Sequence, residues 1–191
     1  NYIKKLDKTN VDYIHCDVMD GKFVENVTFN HKMLKTINTL TTKKLDVHLM
    51  VTNPSGKIKK YIKNGADIVT IHYEAYKNKK KLLKDLLNIR KFGAFAGLSF
   101  NPSTNVTEIL PFLYFCDMLL VMSVVPGKSG QTFISETFDR LKQITTFLKS
   151  QEIEVIIEVD GGVNNQNLPK LKQLGVNSVV MGNFLYSSRS F

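Results

Sequence analysis

Tyr13-Ile14-His15-Cys16-Asp17-Val18-Met19-Asp20-Gly21 sets an imidazole and a carboxylate two residues apart in an apolar run. Read as a strand, this stretch sends His15, Asp17 and Met19 to one face and Ile14, Cys16 and Val18 to the other. An imidazole and a carboxylate buried side by side are costly unless a charge lies between them, and a divalent cation meets that need. Taken alone, the pair also reads as a satisfied core histidine beside a polar strand end. Two further stretches favour the cation. Lys44-Leu45-Asp46-Val47-His48-Leu49-Met50 repeats the pattern, with a histidine followed two residues later by methionine, and Val155-Ile156-Ile157-Glu158-Val159-Asp160-Gly161-Gly162 ends an apolar run in an acid and two glycines. His15, Asp17, His48 and Asp160 form a mixed nitrogen and oxygen ligand set, which suits zinc, iron(II), manganese or cobalt more than calcium or magnesium.

The elements that must position these groups follow a regular alternation. Strands are expected over 12–18, 44–50, 68–73, 94–100, 118–124, 154–160 and 178–182. Helices are expected around 30–37, 55–64, 79–92, 106–111, 137–150 and 165–174, after a helix end within residues 1–10. Strand and helix units of this length imply parallel strands joined by right-handed crossovers. Candidate polar groups stand at the carboxyl ends of at least five strands. A doubly wound sheet gathers its ligand at one switch point, whereas a barrel brings every carboxyl end to one mouth, so the expected fold is a (β/α)8 TIM barrel in a single domain, 1–191. Seven strands are counted where eight are needed. The expectation is that a first strand precedes Asn1 and that part of the last helix follows Phe191.

The chain has 191 residues, is 43% hydrophobic and carries a formal net charge of +9. Nearly all the positive charge is lysine, with Arg90, Arg140 and Arg189 the arginines, and the lysine runs at 57–63 and 77–84 fall on expected helices. Solvated helix faces explain them, and scarce arginine argues against nucleic-acid recognition. A basic surface suits an anionic small substrate. Cys16 and Cys116 lie in apolar runs, as buried thiols in a reducing cytosol do. No stretch approaches the roughly 20 apolar residues of a membrane helix, and no secretory leader is read at Asn1. A cytoplasmic protein is expected.

Several motifs in series carry a resemblance. His15-Cys16-Asp17-Val18-Met19-Asp20-Gly21-Lys22-Phe23-Val24, Leu45-Asp46-Val47-His48-Leu49-Met50-Val51, Val121-Met122-Ser123-Val124-Val125-Pro126-Gly127 and Ile157-Glu158-Val159-Asp160-Gly161-Gly162-Val163 resemble the ribulose-5-phosphate 3-epimerase family, as do Gly65-Ala66-Asp67, His72-Tyr73-Glu74-Ala75 and Asn101-Pro102. The resemblance spans about 11–186. It implies a barrel of the ribulose-phosphate-binding type and interconversion of ribulose 5-phosphate and xylulose 5-phosphate in the pentose phosphate pathway. It implies one divalent metal held by His15, Asp17, His48 and Asp160, with Asp17 and Asp160 as catalytic acid and base. Epimerisation at C3 takes a proton from one face of the carbon and returns one to the other, so two groups are required. The family also implies a homo-oligomer, dimer or higher, and a serine from the first strand that no residue here supplies.

For substrate contacts, His48 and the strand-end methionines Met19, Met50 and Met122 are candidates, the methionines serving otherwise as core packing. Gly161, Gly162, Gly182 and Asn183 could present backbone N–H groups to phosphate, with Gly127, Lys128, Ser129 and Gly130 as a lid. The family usually has phenylalanine and glycine where Lys128 and Ser129 stand, and serine where Asn183 stands. Gly127-Lys128-Ser129 is no P-loop, because Met122 occupies the position of the required upstream glycine. His72 reads as a core residue or a partner behind the ligands, and Asp46 and Glu158 as polar residues deeper in the barrel or acceptors for histidine N–H groups. Two rivals stand beside this reading. One is an allulose-6-phosphate 3-epimerase on the same scaffold, and the other is a non-catalytic barrel that binds nucleic acid or a protein.

Overall fold

A computed structural model describes residues 2–182. The chain divides into two compact units at residues 97 and 98, a boundary that falls within a strand. Each is described in turn.

The first unit opens with α1 (Tyr2–Leu6), followed by β1 (Tyr13–Met19), α2 (His31–Asn38), β2 (Lys44–Met50), α3 (Ile58–Ile62), β3 (Ile68–His72) and α4 (Lys79–Lys91), and reaches into β4 (Phe95–Phe100). Strand order follows the chain. β1 pairs in parallel with β2 along its whole length, and β2 with β3. Ile14, Cys16 and Val18 are buried while the residues between them are half-buried, which is the alternation expected of β1. In β2 everything after Lys44 is buried, as for a strand covered on both faces. Leu45, Val47 and Leu49 therefore lie on one side, and Asp46, His48 and Met50 on the other. Leu82, Leu86 and Ile89 of α4 are fully buried, a stripe at helical spacing. Asparagine caps start two of these helices: Asn30 accepts from the N–H groups of Lys32 and Met33, and Asn78 from that of Lys80.

The second unit carries α5 (Val106–Ile109), β5 (Met118–Met122), α6 (Thr137–Ser150), β6 (Ile156–Asp160), α7 (Leu168–Gln173) and β7 (Ser178–Val180). β6 pairs in parallel with β5 and with β7. Leu119, Val121, Val159, Leu141 and Ile144 are fully buried.

Expected and observed elements correspond one to one, with shifted ends. The segment expected to be one helix over 55–64 is a 3-10 turn, Pro54–Gly56, followed by the short α3. Proline and glycine two residues apart in that one turn interrupt regular helical hydrogen bonding. The helix expected from 165 is regular from Leu168, and the turn before it is held by reciprocal asparagine caps: Asn164 Oδ1 accepts from Gln166 N and Asn167 N, and Asn167 Oδ1 from Asn164 N. The strand expected over 118–124 ends at Met122, and Pro126 follows four residues on.

Candidate metal and proton-transfer site

Register places the donors of the first unit. In the β1–β2 ladder Asp17 stands opposite His48, and His15 opposite Asp46. His48 Nδ1 lies 3.0 Å from Asp17 Oδ1, and His15 Nε2 lies 3.3 Å from the same oxygen. His15, Asp17 and His48 each offer a ligand atom within 4.8 Å of the others. The Asp17 side chain is 40% exposed, whereas that of His48 is wholly buried, so the cluster is open to solvent on the carboxylate side. Thr28 fixes the end of β1: its hydroxyl donates to the Asp17 carbonyl at 2.6 Å and accepts from Met19 N at 2.9 Å.

The donor set fits a divalent cation on two grounds. His15 Nε2 is buried and makes no hydrogen bond among the described residues, while His15 Nδ1 lies 2.5 Å from Asp46 Oδ2. A carboxylate that takes the proton of one ring nitrogen leaves the other as a lone pair. In the neutral ring that lone pair, the Asp17 oxygen and His48 Nδ1 converge, an arrangement of acceptors that a cation relieves.

Electrostatics agree. Burial disfavours an Asp17 carboxylate, but His15 and His48 outweigh it and hold its pKa far below the usual carboxylate range. Asp17 is therefore ionised at neutral pH. Burial drives His48 down to about 4, against the pull of Asp17, so its imidazole is neutral, the state that binds metal. Burial also disfavours the His15 cation, yet Asp46 and Asp17 together raise its pKa well above the ordinary value.

His72, at the end of β3, is fully buried, and its Nε2 lies 2.7 Å from His48 Nε2. This fits the reading of His72 as a partner behind the ligands. Asp46 likewise meets the expectation of an acceptor for a histidine. Met19 ends β1 half-buried and Met50 ends β2 buried, the two in register with each other.

In the second unit Asp160 ends β6, half-buried, with Met122 opposite it on β5. Met122 packs with Leu120 and Val124 in the core. Ser123 grips the end of β6: its hydroxyl lies 2.8 Å from the Asp160 carbonyl and 2.6 Å from that of Gly161, and its N–H donates to the Asp160 carbonyl. Gly162 has φ of 63°, and a Cβ there would lie 2.5 Å from Phe133 N, so no side chain fits. Gly127 is buried and Lys128, Ser129 and Gly130 are exposed. Gln131 Nε2 closes that loop by donating to the carbonyls of Val125 and Lys128. Glu158 accepts from Ser178 at 2.7 Å. Gly182 is exposed after β7, and Asn183 lies outside the described residues.

Sequence reasoning missed the Ser123 hydroxyl and the Thr28 prop. Both contacts go to backbone carbonyls, and no spacing of residue types announces them.

The family profile described as the ribulose-phosphate 3 epimerase family matches residues 1–186. Ribulose-phosphate 3-epimerase of Chlamydia pneumoniae is 37% identical over 189 residues, which is 98% of this chain and 81% of that protein. The enzyme of the same name from Synechocystis sp. is 36% identical over 189 residues, covering 99% of this chain and 82% of the relative. Among solved structures, KGPDC from Streptococcus mutans matches with a TM-score of 0.67 at 13% identity, over 95% of this chain and 81% of that one. Likeness at that identity shows the fold, which is the α/β TIM-barrel class.

Proposed function

The chain belongs to the ribulose-phosphate 3-epimerase family, and on that premise we propose that it interconverts ribulose 5-phosphate and xylulose 5-phosphate with the help of one divalent metal ion. The observation that carries the metal is the convergence of His15, Asp17 and His48 within 4.8 Å. Asp160, the acid that ends β6, is assigned as the fourth ligand by its match to the family motif. The ion is zinc, iron(II), manganese or cobalt, since imidazole and carboxylate donors suit these. When bound, it supplies fixed positive charge against the negative charge that develops on the sugar oxygens.

The residues of the chain do the rest. Asp17, ionised at neutral pH, exchanges a proton with C3 from one face, and Asp160 does so from the other. His48 Nδ1 lies 3.0 Å from Asp17 Oδ1, close enough for one cation to be shared by the two. Met19, Met50 and Met122 border the sugar with soft, water-excluding surface. Gly161, Gly162, Gly182 and Asn183 receive the phosphate, and the loop Gly127, Lys128, Ser129 and Gly130 covers it. On the same reading the protein works as a single-domain cytoplasmic homo-oligomer. Buried Cys16 and Cys116 suit a reducing compartment, and no helix among the described residues is long and apolar enough to cross a membrane.

Solvent deuterium exchange into C3 tests the proposal. Wild-type protein incorporates deuterium from heavy water into ribulose 5-phosphate, chelation abolishes incorporation, and added metal restores it. Asp17→Asn and Asp160→Asn each lower turnover by about 10²–10⁴-fold. Faster turnover of allulose 6-phosphate than of ribulose 5-phosphate replaces the pentulose assignment, and no exchange into either sugar overturns the proposal.

A further inference from the structure

Behind His48 lies a chain of hydrogen-bonding groups that reaches Glu74. His48 Nδ1 faces Asp17, His48 Nε2 lies 2.7 Å from His72 Nε2, and His72 Nδ1 lies 3.2 Å from Glu74 Oε2. The two imidazoles are wholly buried, with ring planes 21° apart and centroids separated by 4.8 Å, so they meet nitrogen to nitrogen in nearly one plane. Phe23 covers His72 with its ring centroid 4.8 Å away.

One proton fits between two nitrogens at that separation, and whichever ring donates it fixes the other atoms of both. If His72 donates, its Nδ1 turns a lone pair toward the Glu74 carboxylate, which is repulsive, and neutral His48 carries its proton on Nδ1. If His48 donates, His72 Nδ1–H bonds to Glu74 and His48 Nδ1 becomes the lone pair facing Asp17. The carboxylate of Glu74 favours the second arrangement and that of Asp17, 3.0 Å from His48 Nδ1, the first; a cation shared by His48 Nδ1 and Asp17 removes the repulsion of the second and leaves Glu74 to decide. We propose that Glu74, acting through His72, is a positioning residue that fixes His48 in the tautomer whose Nδ1 is free for metal.

This inference rests on the metal reading, because a tautomer at His48 matters only if Nδ1 is a ligand. It goes beyond that reading by giving a role to two residues outside the ligand set. His72 at the end of β3, with Glu74 just beyond it, repeats for His48 what Asp46 of β2 does for His15 of β1. Asp46 acts directly, whereas Glu74 acts through an intervening ring.

The experiment uses zinc-loaded protein with ¹⁵N-labelled histidine and records two-bond ¹H–¹⁵N spectra, alongside cobalt(II) titration of the metal-free protein followed by its visible absorption. Wild type shows His72 protonated at Nδ1 and not at Nε2, and His48 protonated at Nε2. Glu74→Leu weakens cobalt binding by about 10- to 100-fold, whereas Glu74→Gln, which keeps an acceptor, restores most of it. Wild-type protein that binds no cobalt or zinc overturns the metal reading and this inference together. Wild type that binds metal with His72 protonated at Nε2 overturns the inference alone, even if Glu74→Leu does not fold. Equal affinity for cobalt in wild type and Glu74→Leu overturns it as well.

Discussion

Asp20 shows how much one carboxylate just beyond a strand can hold in place. It accepts from the N–H groups of Lys22, Phe23 and Thr52 and from the Thr52 hydroxyl, tying the loop after β1 to the end of β2. Burial disfavours its charge, but the N–H groups of Phe23, Thr52 and Lys22 outweigh that and lower its pKa. A carboxylate whose folded pKa is depressed stabilises fully above its unfolded value of about 3.9, and that contribution drains away as pH falls through the lower folded value. Asp20→Asn is therefore expected to lower stability at pH 7 and to flatten the loss of stability below about pH 4, as read from urea midpoints between pH 2.5 and 7. Donor residues at this scale were legible in the sequence, because His15, Asp17 and His48 fall on alternating strand positions. Ser123 and Thr28 were not, because a hydroxyl that props a carbonyl leaves no pattern in residue type.

At the scale of elements, Gly97 decides how closely β3 and β4 approach. A Cβ at Gly97 would lie 2.9 Å from Thr70 Cα and 2.8 Å from Thr70 Cβ, contacts with rigid atoms that cannot swing aside. Thr70 in turn is the register partner of His48, so crowding there is transmitted to a proposed metal ligand. Gly97→Ala is expected to lose about 1–3 kcal/mol by overpacking, even though alanine is ordinarily the better strand residue. Urea unfolding checks the loss, and a midpoint equal to wild type refutes it. Element type and order were legible because strand runs and helical stripes differ in period. Element ends were not: the turn capped reciprocally by Asn164 and Asn167 precedes the regular part of α7, and Pro54 with Gly56 divides the segment before β3.

For the molecule as a whole, the proposed metal site links metal binding to folding. A ligand that binds only the folded protein adds about 2.7 kcal/mol at one hundred times its dissociation constant. For a chain of this size that corresponds to a rise in Tm of roughly 5–10 °C. Calorimetry on chelated and reloaded protein is expected to show the rise, and Asp17→Asn to abolish it. The same rise in Asp17→Asn as in wild type moves the metal elsewhere. Family membership was legible at this scale, since four motifs recur in order along the sequence. The net charge of +9 said less about function, because lysines distributed over helix faces keep a protein solvated whatever it binds.

His15, Asp17 and His48 sit on two adjacent, directly paired strands. Bringing them together closes a single crossover connection, Asp17 and His48 standing 31 residues apart, and loop-closure entropy grows only slowly with length. During synthesis those three donors leave the ribosome long before Asp160 does. An ion captured at that stage would act first as a clamp on the nascent β1–β2 pair, and only later as a reagent.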